Sequence, residues 1–274
     1  MSKRAYLRAA LLELLEEHQR DGMLPTSNRF LFYELVQRGI VPKHSKNKRR
    51  ADQDMNEALT ELRESGQVPW DWIVDETRFL ENHTGWPSIK DGLENLVDTI
   101  RLDPWAGCEP LILTESRSLA GVLREICEEY CVQIASTNGQ VGGFLHTKIG
   151  PMLRSGHNIF YLGDLDLAGG DIEANTKRVL EQKTELLFWE RLALTEEQVD
   201  QYNLPVITKH DRRFNDGGAH EAVETEALSQ AFIVEIVRNR LDAHLRFIPE
   251  TLESVREREG MERTQIMITT KDEK

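Results

Sequence analysis

The sequence has few of the features that mark secreted, membrane-bound or zinc-binding proteins. It contains only three cysteines, and Cys108, Cys127 and Cys131 form no CxxC pair. We therefore predict reduced thiols in a cytoplasmic protein, without a disulfide framework or a zinc site. No apolar run approaches the ~18 residues of a membrane span. Glutamates interrupt the apolar pattern that follows the first residues, so we expect no signal peptide and no membrane association.

Basic residues are fewer than acidic ones, and they are unevenly distributed. The net charge is −13, yet residues 1–50 carry 11 Lys and Arg against 5 Asp and Glu, while residues 51–274 carry 23 against 42. An acidic protein with a basic amino-terminal part is not a general polyanion binder, but it can make a local contact with nucleic acid. At 274 residues the chain is long enough for about two compact units.

The most informative stretch is Asn158–Ile172. A short apolar run that favours a buried strand leads into Gly163-Asp164-Leu165-Asp166. Gly169-Gly170 follow, and a helix is expected at Asp171–Gln182. Alternate residues of an extended chain point the same way, so Asp164 and Asp166 can present both carboxylates to one point. Two hard oxygen ligands suit Mg²⁺. The alternative is a solvated, Asp-rich turn after a strand.

A second carboxylate ends an upstream strand. Leu111–Glu115 is another buried-strand pattern, and an amphipathic helix, a strand at Val132–Ala135 and a turn at Thr137–Gly139 follow it. This rhythm predicts an α/β fold with a parallel sheet. Active groups collect at the carboxyl ends of such strands. Glu115 and the pair Asp164/Asp166 are therefore expected to converge on one metal ion.

This set of residues resembles the Toprim domain of topoisomerases, primases and certain nucleases. The resemblance covers roughly Glu109 to Leu194, and the matching positions are Glu115, Gly139, Asp164 and Asp166. It implies that Glu115 is the general acid or base and that Asp164 and Asp166, with Glu115, hold Mg²⁺, for which Mn²⁺ can substitute. The sequence departs from the family's pattern at Leu167-Ala168, where a proline is common, and at Ser116, where a lysine is frequent.

The amino-terminal part is predicted to be helical and basic. Helices are expected at Ala5–Arg20, Asn28–Gln37 and Arg50–Glu64, followed by an extended aromatic segment at Gln67–Val74. A basic cluster opens the third helix and is suited to the DNA backbone. Its members are Lys43, Lys46, Lys48, Arg49 and Arg50. The alternative is a solvated loop.

Arg29 and Tyr33 are four residues apart and share one face of the second helix. Tyr33 can be a half-buried core residue, or it can attack a phosphodiester with Arg29 holding the phosphate. The segment TSNRFLFYELVQRG, with the basic helix and GQVPWDWIVDETR, resembles the winged helix of the topoisomerase VI A subunit and its meiotic double-strand-break relatives. That resemblance implies Tyr33 as the catalytic tyrosine, although Phe30 replaces an acidic residue usual in the motif.

The order of the two resemblances suggests the organisation of the chain. It is the order of a group of small bacterial and phage proteins that the chain resembles nearly end to end, through RLDPW, GDLD, RLALTEEQVDQYNLP and ETEAL. We expect a winged-helix DNA-binding domain at 1–80, a linker at 81–106, and a Toprim domain with a helical carboxyl-terminal extension at 107–274. In the extension we expect a helix at Glu224–Leu245, with Glu226 near the metal.

The resemblance implies Mg²⁺-dependent cleavage of double-stranded DNA by a cytoplasmic, nucleoid-associated enzyme. It also implies a homodimer, in which Tyr33 of one subunit meets the metal site of the other, and a possible B-type ATPase partner that this chain does not encode. Two alternatives stay open. One is a Toprim nuclease that uses water as the nucleophile, and the other is a non-catalytic DNA-binding module. The polar segment Lys209–Arg213 is expected to contact DNA phosphate or to form surface ion pairs.

Overall fold

The computed structural model describes residues 3–43, 52–74, 84–139, 143–210 and 219–272. Its α-helices are α1 (Lys3–Arg20), α2 (Asn28–Gln37), α3 (Gln53–Glu64), α4 (Ile89–Thr99), α5 (Arg117–Val122), α6 (Arg124–Tyr130), α7 (Leu167–Glu181), α8 (Glu196–Gln201), α9 (Gln230–Leu245) and α10 (Leu252–Asp272). Its strands are β1 (Leu111–Thr114), β2 (Gln133–Ser136), β3 (His157–Leu162), β4 (Leu187–Ala193), β5 (Ile207–His210) and β6 (Ala219–Ala222). A π-helical turn spans Leu145–Ile149, and 3-10 turns span Trp70–Trp72 and Thr225–Ala227.

A parallel four-stranded sheet organises the larger part of the chain. Its strand order is β2-β1-β3-β4, so the two most apolar strands, β1 and β3, lie side by side at its centre. Ile112 and Phe160 face a core that includes residues of α5, α6 and α9, while Leu113 and Tyr161 face a second core with α7. Helices cover both faces, which is why these strands are continuously apolar. The predicted α/β class is confirmed.

The first three helices have a core of their own. Leu11, Leu31 and Leu59, one from each helix, are all buried in it. The bounds predicted for α2 are confirmed, and Ser27 caps the helix by accepting a hydrogen bond from Phe30 N. Phe30 and Tyr33, on another side of α2, pack instead into the core that covers the parallel sheet. Helix α2 thus joins the two parts of the molecule.

The extended segment expected at Gln67–Val74 is only partly extended, and this prediction was wrong for Trp70–Trp72. Those residues form a 3-10 turn after Pro69, and only Ile73 makes an isolated bridge, with Thr26. The Arg63 guanidinium stacks on the Trp70 ring at 4.1 Å and donates to Trp70 O at 2.8 Å. These local contacts favour a turn over a strand. A two-stranded wing is not present in the described residues 52–74.

Helix α3 begins at Gln53 rather than Arg50, and two helices near the sheet edge begin still further from the expected residue. The predicted helix at Asp171 begins four residues earlier, at Leu167, because Asp166 caps it through Gly169 N. The helix expected from Glu224 begins at Gln230, where Ser229 caps Phe232 N, and a 3-10 turn precedes it. Across the described ranges, none of the helices combines the length and apolar character that crossing a membrane requires.

Candidate active site

The carboxyl edge of the parallel sheet holds Glu115 and Asp164 against each other. Strands β1 and β3 are neighbours, and Glu115 N donates to Leu162 O at 2.9 Å. Asp164 N in turn donates to Glu115 Oε2 at 3.0 Å. Arg191 Nη2 donates to the carbonyl oxygens of Gly163 and Asp164 at 2.8 and 2.7 Å, which fixes the turn after β3. The structure thus brings together the two strand-end carboxylates that the sequence predicted to converge.

Asp166 has a structural role at the start of α7. Its Oδ1 accepts from Gly169 N at 2.6 Å, and Lys209 Nζ donates to its Oδ2 at 2.7 Å. The helix passes so close to the preceding turn that a Cβ at residue 169 would lie 2.5 Å from Asp164 O. Glycine is required at this position for that reason. Gly170 has open space around it and carries no such requirement.

The segment after β6 adds two further carboxylates to this edge. Val223 forms an antiparallel bridge with Leu165, which places Glu224, Thr225 and Glu226 next to the turn after β3. Thr225 donates to Asp164 Oδ1 from its backbone nitrogen at 2.9 Å and from its hydroxyl at 3.1 Å.

Glu226 has a fully buried side chain. Its Oε1 accepts hydrogen bonds from Ser116 Oγ at 2.8 Å and Ser118 Oγ at 3.1 Å. Its Oε2 has no hydrogen-bond partner within the described ranges. Glu226 was expected near this site, whereas the contribution of Glu224 was missed.

Helix α2 presents Arg29 and Tyr33 to the same carboxylates. Arg29 Nη2 lies 2.9 Å from Glu224 Oε2, and Arg29 Nε lies 3.4 Å from Glu226 Oε1. The Tyr33 hydroxyl donates to Glu224 Oε2. Tyr33 is only 3% exposed, so its hydroxyl is enclosed between α2 and the sheet edge. The resemblance implied contact between subunits, and within this single chain the Tyr33 hydroxyl contacts Glu224.

Of the basic cluster predicted to contact DNA, Lys43 is the one member in the described part. Its Nζ donates to Pro205 O at 2.7 Å and lies 4.9 Å from the centre of the Tyr33 ring. Lys43 therefore belongs to the surroundings of Tyr33 rather than to a separate basic surface. Lys46, Lys48, Arg49 and Arg50 lie outside the described residues. Of the polar segment Lys209–Arg213, Lys209 forms ion pairs with the carboxylates of the site, and residues 211–213 lie outside the described residues.

The carboxyl groups of the site differ strongly in pKa. Burial, together with the Asp164 carboxylate, raises the pKa of Glu115 to about 7. Burial and the neighbouring Glu226 raise the pKa of Asp164 to about 6. Although burial acts in the opposite direction, hydrogen bonds from Lys209 and Gly169 lower the pKa of Asp166. Near neutral pH Glu115 is therefore partly protonated and lies close to a more acidic carboxyl group, that of Asp166.

The pKa values of Tyr33 on α2 and of Lys43 in the loop after it are shifted as well. Burial and the hydrogen bond to Glu224 raise the pKa of the Tyr33 hydroxyl far above its usual range. Burial lowers the pKa of Lys43 to about 8. Tyr33 is thus a neutral phenol at physiological pH and needs a proton acceptor before it can act as a nucleophile.

The donor chemistry of the site fits a hard divalent cation, although its oxygens are already engaged. Five carboxyl groups (Glu115, Asp164, Asp166, Glu224 and Glu226) face two pairing cations, Arg29 and Lys209. Such an excess of carboxylate oxygens suits Mg²⁺, and one of them, Glu226 Oε2, is buried without a hydrogen-bond partner among the described residues. As the side chains stand, the described ranges contain no group of three His, Cys, Asp or Glu residues arranged to hold a metal ion. Side-chain and backbone donors, among them Lys209 and Arg29, occupy most of the oxygens instead.

Together, fold and site define an α/β protein with an acidic centre at the carboxyl edge of a parallel sheet, contacted by an amino-terminal helix. Comparison with protein-family models, curated proteins and solved structures finds no match to this chain.

Proposed function

We propose that this protein cleaves double-stranded DNA in a metal-dependent reaction in which Tyr33 is the nucleophile, as in the winged-helix and Toprim proteins that the sequence resembles. One observation carries the proposal. Tyr33 and Arg29 come from an amino-terminal helix, yet both contact the carboxylate cluster at the sheet edge. A tyrosine, a guanidinium and several carboxylates in one place provide a nucleophile, a phosphate ligand and groups for proton transfer.

In the proposed step, Tyr33 Oη attacks the phosphorus, and the bond between phosphorus and the 3′ oxygen breaks. Glu224, which accepts the Tyr33 hydrogen bond, takes the phenolic proton. Glu115, with its pKa of about 7, is protonated often enough to give a proton to the departing 3′ oxygen. The products are a 5′-phosphotyrosyl bond and a free 3′ hydroxyl. Glu115 keeps the proton-transfer role expected from the sequence, but at the leaving group.

Asp164 and Asp166 are the residues that would hold Mg²⁺, or Mn²⁺ in its place. The chemistry that the ion supplies when bound is stabilisation of negative charge on the departing 3′ oxygen. Arg29, which is partly exposed, would hold a non-bridging phosphate oxygen.

We further propose that the basic amino-terminal part binds the DNA backbone and that a homodimer supplies one Tyr33 for each strand. A B-type ATPase would be needed only for strand passage.

A second candidate is a nuclease that uses water as the nucleophile. The burial of Tyr33 favours it, because an enclosed hydroxyl can reach a phosphodiester only after α2 separates from the sheet edge. In that case Tyr33 is a structural residue that holds α2 on the carboxylate cluster. A non-catalytic DNA-binding module is the remaining alternative, and it would use the site only for stability.

The deciding experiment uses supercoiled plasmid with Mg²⁺ or Mn²⁺, stopped with detergent and analysed with and without protease. The variants are Tyr33→Phe and Asp164→Asn, and the matched control is Tyr6→Phe, because Tyr6 is a 54% exposed tyrosine on α1. We expect protein-linked breaks from the wild type and the control, and none from the other two variants. Protein-free breaks that survive Tyr33→Phe would establish the nuclease instead, and metal-independent binding without breaks would establish the DNA-binding module.

A further inference from the structure

Lys209 lies at the point where the carboxylates of the site converge. Its Nζ is 2.7 Å from Asp166 Oδ2, 3.7 Å from Glu224 Oε1 and 3.9 Å from Asp164 Oδ2. Two of these three residues, Asp164 and Asp166, are among those that the sequence analysis assigned to a metal ion together with Glu115. An ammonium group and a divalent cation repel each other and seek the same oxygens, so they cannot occupy this point together.

With Lys209 in place, the site is still short of positive charge. One ammonium and the Arg29 guanidinium face five carboxyl groups, and Glu226 Oε2 is buried without a hydrogen-bond partner in the described part of the chain. Buried carboxylates are normally paired with a cation or bound to a metal. A divalent ion in place of the ammonium would therefore satisfy the cluster better than Lys209 does.

The position of Lys209 in the fold permits such an exchange. Lys209 is on β5, and within the described ranges β5 pairs only with β6, in a two-stranded sheet separate from the parallel one. Its side chain is 38% exposed, so the ammonium can turn into water by rotation about side-chain bonds. The parallel sheet and its buried cores need not change for Lys209 to leave.

We propose that Lys209 is the resident cation of this site and that a divalent metal ion binds to Asp164, Asp166 and Glu224 only when the Lys209 ammonium leaves. Lys209 thereby sets the metal concentration at which the site is filled. Glu224, which also contacts Arg29 and Tyr33, becomes a metal ligand in the exchanged state. The inference rests on the metal-binding part of the proposed function and is independent of the identity of the nucleophile.

The first test is a calorimetric titration of the full chain with Mn²⁺, in the absence of DNA. The variant is Lys209→Met, which keeps the length of the side chain and removes its charge. Lys177→Met is the matched control, because Lys177 is an exposed lysine on α7 whose Nζ lies 3.9 Å from Glu181 Oε1, away from the site. We expect Lys209→Met to bind Mn²⁺ at least about tenfold more tightly than the wild type, Lys177→Met to match the wild type, and Asp164→Asn to lose binding. Equal affinity of Lys209→Met and the wild type would overturn the proposal, and so would the absence of binding in both.

A second measurement uses only the wild-type protein, so it does not depend on the folding of a variant. Lysines are reductively methylated with and without saturating Mn²⁺, and the modified peptides are quantified by mass spectrometry. We expect Mn²⁺ to increase the modification rate at Lys209 and to leave Lys177 unchanged. An unchanged rate at Lys209 would refute the exchange. Neither experiment contains DNA, so a failure of DNA cleavage by Tyr33 would be recognised separately.

Discussion

Glu115 should make the stability of this protein fall as pH rises, and the variant Glu115→Gln should remove that effect. The pKa of Glu115 is about 7 in the folded state, against 4.5 as the ordinary value. Between these values the folded state binds more protons than the unfolded state. The associated stability is therefore fully present below the unfolded pKa and is lost as pH rises through the folded pKa. Glutamine cannot titrate, yet its side-chain oxygen can still accept from Asp164 N.

The size of the effect follows from the two pKa values. Between about pH 5 and about pH 8, the full shift would cost the wild type about 2.5 kcal/mol of unfolding free energy. Glu115 is only partly buried, and screening by water reduces this to about 1 kcal/mol. When the pH is raised from about 5 to about 8, the unfolding free energy of Glu115→Gln should therefore increase by about 1 kcal/mol relative to that of the wild type.

Urea denaturation of both proteins at the two pH values measures this difference directly. Glu257→Gln, at an exposed carboxylate on α10, controls for the loss of one negative charge. The prediction fails if the difference in unfolding free energy between wild type and Glu115→Gln is the same at both pH values. It also fails if Glu257→Gln shows the same change, because a general charge effect would then explain it.

Two further predictions concern packing and are checked by the same denaturation assay. Gly169→Ala should destabilise the protein by about 1–3 kcal/mol, because the new Cβ would lie 2.5 Å from Asp164 O. Gly170→Ala places its Cβ in open space and should be neutral or stabilising by up to about 1 kcal/mol. Equal effects of the two substitutions would contradict the close approach of residue 169 to Asp164. Trp105→Phe should cost about 1–3 kcal/mol, because the fully buried indole donates to Tyr130 O at 2.6 Å, and a neutral result would mean that this bond contributes little.

Local patterns in the sequence predicted the local features of the fold. The bounds of α2 followed from Ser27 and the apolar spacing after it, because a cap and a helix face depend on residues a few positions apart. The adjacency of Glu115 and Asp164 was predictable for a similar reason, since parallel strands place their carboxyl ends at one edge. Gly169-Gly170, by contrast, looked like a break before a helix, whereas both glycines lie inside α7.

The other half of the site could not be predicted from spacing. Lys209 is on β5 and Glu224 follows β6, and the bridge between Leu165 and Val223 helps to bring this separate sheet to the edge of the parallel one. The contact of Tyr33 with Glu224 requires α2 to pack on a sheet formed much later in the chain. The sequence signal for this part of the site is the pair Glu224 and Glu226, separated by Thr225 after a strand. We expected both residues to lie in a helix instead.

The separation of Tyr33 from Glu224 has a consequence for the synthesis of the protein. The two residues are 191 positions apart. At typical translation rates, a ribosome needs about 10–40 s to add the residues between them. The first helices can form their own core in that time, but Tyr33, Arg29 and the apolar side chain of Phe30 have no sheet edge to cover them. A nascent chain thus carries an uncovered patch on α2, and chaperones that bind exposed apolar helices should recognise it until Glu224 has emerged.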